Sequence, residues 1–146
     1  MRGREYRGKN ASGRVPPSAA IRRLLFAPLD SFEKLEVVVA LYRASAHTSS
    51  VAALAKLCEL SPDITSRTID ELARAGFVEG AEGLTRLTAG TEDLAAIGEL
   101  VAVYDDDRIV IVRALSEISM DKIRRMAART FADAFNLRKK REDDGG

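Results

Sequence analysis

Few side chains in this chain belong to types that carry chemistry, and their spacing decides among them. Asp105, Asp106 and Asp107 are three adjacent carboxylates, the oxygen donors a hard cation takes. Neighbours in sequence point in different directions on a helix or loop, and no fourth ligand accompanies them. They read as a helix start or a solvated turn. His47 is the one histidine. No carboxylate or nucleophile lies at helical spacing from it to build a proton relay, and its place near a helix end suits a capping or surface role. Cys58 is the one cysteine, which excludes an internal disulfide and a cysteine-rich zinc site. It falls on the apolar side of a helix, whereas a sensing thiol would be exposed with a lowered pKa, and Glu59 beside it pushes the other way. Phosphate-binding glycine loops, zinc-ligand spacings and nucleophile elbows do not occur. These residues predict a protein that is not an enzyme and that uses no cofactor and no metal.

The remaining candidates bind rather than react. Asp63, Thr65, Ser66 and Arg67 follow one another at what reads as the start of a helix. Such side chains can reach base edges in a major groove, and an arginine there can give guanine two hydrogen bonds. Thr68 and Arg74, further along, and Arg86 beyond them suit phosphate oxygens. That role requires a scaffold that presents one helix edge to a groove.

The flanking sequence supplies one. Ser49 or Ser50 can cap a helix whose Val51, Leu54, Ala55 and Cys58 recur at helical spacing. Ser61-Pro62 is a second start signal, with proline at a position that needs no N–H. Ile69, Leu72, Ala73 and Ala75 continue an apolar side until Gly76, which takes the left-handed cap conformation without strain. Phe77-Val78 and Leu84-Thr85-Arg86-Leu87 read as strands joined by a turn holding Gly80 and Gly83. Helix, turn, helix and two short strands are the core of a winged helix-turn-helix. On Val51, Leu54-Ala55, Leu60-Ser61-Pro62, Ser66-Arg67, Leu72 and Ala75-Gly76-Phe77-Val78-Glu79, the chain resembles bacterial winged-helix transcription regulators, broadly of the MarR-like kind. The resemblance covers about a quarter of the chain. It implies a dimer that binds double-stranded DNA, with the second helix, about residues 62–75, in the major groove.

Two positions depart from the pattern. Such turns often carry glycine where this chain has Glu59, and Ile64 stands where a polar reading residue is common. Either Ile64 is exposed, making the face stickier, or the helix register differs by one residue.

Charge is unevenly placed. Residues 1–23 hold seven Lys/Arg against one acid, +6; residues 30–90 and 91–137 are each −3; residues 138–146 are +1. Affinity for a duplex comes largely from Lys/Arg meeting phosphates, so a core of −3 must gather its few positives on one face or borrow them. Arg2, Arg4, Arg7, Lys9 and Arg14 form a basic arm over residues 1–17 whose composition predicts disorder. Such arms also bind nucleic-acid backbones.

The rest of the chain reads as helices. Residues 18–26 form a short one with Ile21, Leu24 and Leu25 inward, ended by Pro28. Asp30 and Glu33 suggest a capping box for a central helix carrying Phe32, Leu35, Val37, Val38, Val39, Leu41 and Tyr42. Thr91 is the expected cap of the next helix, with Glu92 and Asp93 at its positive start and Leu94, Ile97, Leu100, Val101 and Tyr104 in period. Residues 108–113 have strand-like composition, but their continuation into Leu115 and Ile118 favours a buried helix. Ser119 can cap a last helix, ending at Arg138-Lys139-Lys140-Arg141, whose stripe holds Ile123, Met126, Ala127, Phe131, Ala134 and Phe135. The winged-helix core is complete without that stripe, which predicts a dimer interface, or else packing back on the chain's own core.

The expected organisation is therefore a mainly α protein with a small β-wing: a disordered basic arm at 1–17, a winged helix-turn-helix domain at 18–90, a C-terminal helical dimerisation region at 91–138 and a charged tail at 139–146. With 46% hydrophobic and 31% charged residues, it suits a soluble protein. No apolar run approaches the roughly 20 residues that span a bilayer, and the N-terminal positives precede no apolar segment, unlike a secretory signal. The expected compartment is a bacterial-type cytoplasm. The acidic core and acidic wing leave a second reading open, a winged helix that docks a protein partner without touching DNA.

Overall fold

The computed structural model describes residues 16–145. The basic-arm residues Arg2, Arg4, Arg7, Lys9 and Arg14 lie outside them. The first helix, α1 (Ala19–Phe26), is capped by Ser18, whose hydroxyl accepts the Ile21 N–H, and it buries Ile21, Leu24 and Leu25. The second, α2 (Phe32–Arg43), is capped by Ser31, which accepts from the Lys34 N–H, and not by Asp30. Because the helix starts one residue later than expected, Glu33 falls at its second position, where it cannot close a capping box. Asp30 instead accepts from Lys34 Nζ at 2.9 Å. Leu35, Val37, Val38, Val39 and Leu41 are all buried, so α2 is apolar around most of its girth and central to the molecule.

A one-turn 3-10 helix (Ser45–His47) leads to β1 (Thr48–Ser50), α3 (Val51–Cys58), α4 (Pro62–Arg74), β2 (Val78–Ala81) and β3 (Leu84–Leu87). Helix, strand, two helices and two strands make a winged helix-turn-helix. The sheet is antiparallel with order β1-β3-β2. Strand β1, which pairs Thr48 with Arg86 and Ser50 with Leu84, was not expected: three polar residues are too few to show alternation. The wing register sets Ala81 opposite Leu84, which leaves only Glu82-Gly83 as the loop. Both have positive φ, 55° and 79°, the geometry a two-residue hairpin needs to follow strand twist. Gly80 therefore lies within β2 and not in the turn.

Ser50 and Ser61 cap α3 and α4, and Pro62 opens α4. Gly76, at φ 82°, turns the chain out of α4 as expected. Between the two helices, Glu59 itself is left-handed at φ 56°, ψ 44°, the conformation that favours glycine.

The wing leads into α5 (Thr91–Asp106) and α6 (Arg108–Gly145). Gly90 is the cap residue of α5, with no side-chain bond, so Thr91 is helical rather than capping. Ser119 starts nothing: α6 runs unbroken for 38 residues and passes beyond Arg141, because no glycine or proline interrupts it. Residues 108–113 are helical, and Ile111, Ala114, Leu115 and Ile118 enter the core with Ala96, Ile97, Leu100, Val101 and Tyr104 of α5. One core runs from α1 through α2 and the sheet to α5 and α6. Beyond Ile118 no described side chain of α6 is buried. None of the described helices is long and apolar enough to cross a membrane.

Candidate nucleic-acid interface

Helix α4 packs on α2, α3 and β2 through Thr65, Thr68, Ile69 and Leu72. That spacing is one helical face, and it removes two expected residues from the surface. Thr65 is 0% exposed and Thr68 5%. Their hydroxyls donate to the helix's own carbonyls, Thr65 to Ser61 at 2.8 Å and Thr68 to Ile64 at 2.7 Å. Neither can reach a base edge or a phosphate. The threonines share a period with Ile69 and Leu72, a signal already present in the sequence.

The outer face of α4 carries Asp63, Ser66, Arg67, Asp70 and Arg74, all exposed. Asp63, Arg67, Asp70 and Arg74 recur at i, i+4, i+7 and i+11, so they form one ridge alternating acid and base. Ile64 is 37% exposed, and the register holds. Sequence reasoning did not single out Asp70, the same-face neighbour of Arg67, or the charge network beside it. Lys34 Nζ lies 2.9 Å from Asp30 and 3.4 Å from Glu71, and Lys122 of α6 reaches Asp30 at 3.8 Å. The hydrogen bond that Lys34 donates to Asp30 leads in holding its ammonium above its usual pKa, against the opposing pull of burial. Asp30, Lys34 and Glu71 line a groove between α2 and α4 with Glu33, Ile64 and Arg67.

On the wing, Arg86 stands opposite Glu79 in the register and pairs with it at 2.7 Å. The pair is exposed, so it holds Arg86 only weakly. Across α4 and the wing, Arg67, Arg74 and Arg86 face Asp63, Asp70, Glu71, Glu79 and Glu82.

The C-terminal stripe stands clear of the core. Ile123, Met126, Phe131 and Phe135 are 60%, 69%, 74% and 59% exposed, and Ala127 and Ala134 are exposed beside them. Packing back on the chain's own core is thereby excluded for these six. Upstream, Ile109 and Met120 are also exposed and share their side of α6, opposite the buried Ile111, Ala114, Leu115 and Ile118.

The remaining candidates take structural places. The His47 ring stacks on Tyr42 with centroids 4.9 Å apart, and its Nδ1 lies 2.9 Å from the Tyr42 carbonyl at the end of α2. Asp105 pairs with Arg43, and Asp107 Oδ1 accepts from the Ile109 N–H at 3.2 Å, a cap for α6. Cys58 is buried, and burial pushes its thiol up to about 11. It lines a cavity with Glu36, Val39, Arg43, Leu57 and Tyr104. The Tyr104 hydroxyl donates to Glu36; burial first, and then that carboxylate, push the phenol up to about 12.

No protein-family model matches the chain, and no curated protein matches it. Among solved structures the chain is similar to Sco5413, a MarR family transcriptional regulator from Streptomyces coelicolor, at 21% identity and a TM-score of 0.45 over 77% of this chain and 82% of that one. It is also similar to RV1404 from Mycobacterium tuberculosis, at 20% identity and a TM-score of 0.39 over 75% of this chain and 69% of that one.

Proposed function

We propose that this protein is a transcriptional regulator that binds double-stranded DNA as a homodimer, with α4 in the major groove. The observation that carries the reading is the outer ridge of α4. A capped helix, held rigid by its buried face, presents Asp63, Ser66, Arg67 and Arg74 to solvent with the wing beside it. Arg67 has no ion-pair partner among the described residues and is the candidate for guanine. Arg74 and Arg86 are candidates for phosphate. The exposed stripe of α6 from Ile123 to Phe135 is the proposed two-fold interface, which would present two copies of α4 to two half-sites.

One observation favours a second reading, a docking module for another protein. Five carboxylates against three arginines on α4 and the wing, with Ile64 exposed among them, make a face that repels phosphates. Fluorescence anisotropy of the full-length protein with a pool of random duplex DNA, followed by selection of a best site, separates the two. Salt-sensitive binding that sharpens on selection, and that Arg67→Ala weakens for the selected site, supports the regulator. A folded dimer that binds no duplex at low salt rejects it in favour of docking.

A further inference from the structure

Helix α6 has a second apolar side, opposite the one it buries. Ile109, Ser116, Met120, Ile123, Ala127 and Ala134 are exposed there. With Arg113 and Thr130, also exposed, they alternate at steps of four and three residues, the seam of a left-handed coiled coil. At the helical rise the seam is about 38 Å long. Its start is an open groove of about 510 Å³, lined by Phe32 of α2 and by Arg108, Ile109, Val112, Arg113 and Ser116 of α6. The Arg108 guanidinium sits over the Phe32 ring at 5.3 Å and forms one wall. Glu117 and Arg124 are exposed along one flank of the seam, and neither has an ion-pair partner among the described residues. Two turns of helix, about 10 Å, separate them, too far to pair within one chain.

A second copy of α6 can close this seam in few registers, and the charges choose among them. Parallel pairing sets Arg113 against its own copy inside the seam, where like charges repel. Antiparallel pairing about a two-fold axis between residues 121 and 122 sets Ile109 opposite the partner's Ala134 and Arg113 opposite the partner's Thr130. It also sets Ser116 opposite the partner's Ala127 and Met120 opposite the partner's Ile123. All eight seam positions are then matched. Antiparallel helices meet along like flanks, so Glu117 comes beside the partner's Arg124. A shift of one heptad in one direction brings Arg124 against the partner's Arg124 and leaves Ile109 uncovered. A shift in the other direction sets Arg113 against the partner's Ile123 and leaves Thr130 and Ala134 outside the pair.

We propose that α6 pairs with a second copy of this chain as an antiparallel coiled coil centred between residues 121 and 122. The distal half of each α6 then covers the proximal half of the other. The Phe32 groove, open in the single chain, is closed by the partner's Ala134 and the partner's Leu137, and Leu137 is 60% exposed in its own chain. The proposal rests on the reading of α6 as the two-fold interface and fixes its direction and register.

The test is disulfide formation in the full-length chain carrying Ser116→Cys/Ala127→Cys, read on a denaturing gel without reductant. Within one chain the two positions lie about 16 Å apart along the helix, too far for an internal disulfide. Across the proposed two-fold axis each faces the other. The double variant should become mainly covalent dimer, and so should Ile109→Cys/Ala134→Cys at the two ends of the seam. Each single variant should stay monomeric on the gel, as should the wild type, whose Cys58 is buried. All four positions are exposed in the single chain, and circular dichroism with sedimentation before oxidation checks that each variant is folded and dimeric. Single variants that cross-link as readily as the doubles overturn the proposal in favour of parallel pairing or pairing of the distal halves alone. Dimers in sedimentation that form no cross-link in either double variant overturn the register and leave the two-fold reading of α6 standing. A wild-type chain that sediments as a monomer throughout a concentration series overturns both.

Discussion

Replacing Phe131 with aspartate should separate the proposed dimer into folded monomers. The ring is 74% exposed in the single chain, so it contributes almost nothing to the core of its own protomer, and the substitution should leave the helical signal and the unfolding midpoint nearly unchanged. Fully burying a phenylalanine in an interface is worth about 1.5–3 kcal/mol. A two-fold interface contains the residue twice, so the loss is about 3–6 kcal/mol per dimer, before the cost of desolvating two carboxylates is added. At 1.4 kcal/mol per tenfold, the dissociation constant should rise by about a hundred- to ten-thousand-fold. Sedimentation equilibrium over a concentration series reads this directly. Arg129→Asp, on the other side of the same helix, is the control and should change it little. A Phe131→Asp protein with a wild-type dimerisation constant would refute the reasoning and place the interface elsewhere.

Arg67→Ala should weaken binding to the best selected site by about 1–3 kcal/mol, measured by titration at fixed salt; unchanged affinity removes Arg67 from base reading. Deleting residues 1–17, which takes away five basic side chains and one acidic one, should flatten the salt dependence of duplex binding, and an unaltered slope would show that the arm makes no backbone contact. Glu59→Gly relieves a left-handed non-glycine residue and should stabilise the fold by up to about 1 kcal/mol, seen as a higher thermal midpoint, whereas a lower midpoint would contradict the strain argument. The Cys58 thiol is held up to about 11, from an ordinary value of 9.0. The unfolded chain therefore loses this proton first, and stability present below about pH 9 should fall as pH rises toward 11; urea midpoints from pH 8 to 10.5 should fall less steeply in Cys58→Ala, and equal slopes would show that the thiol does not contribute.

The winged-helix unit was legible because its signals are local. Ser50 and Ser61 cap where they were expected to, Pro62 opens α4 and Gly76 ends it, since each acts on backbone groups within a turn of itself. The glycine missing at position 59 marked a left-handed residue. The errors share a different cause. Asp30 against Ser31 and Thr91 against Gly90 are one-residue choices between adjacent cap positions, decided by where the preceding chain enters. Ser119 is a possible cap by residue type and stands where the apolar stripe changes side, but the backbone of α6 continues through it.

The sequence by itself determined the order of α1 to α5 and of the two wing strands, the absence of nucleophile and zinc motifs, and the arginine-rich character of the two ends, because these follow from composition and short-range spacing. Only the tertiary structure decided which polar residues the core takes in and where along a helix its cover ends. Packing of α4 against α2 and α3 took Thr65 and Thr68 inside and left Asp63, Arg67, Asp70 and Arg74 out. Packing of α6 against α1 and α5 consumed its face only as far as Ile118, which left Ile123 to Phe135 exposed. Periodicity shows that a helix has an apolar side, but which neighbour covers that side, and where the cover ends, depends on contacts between residues distant in the chain.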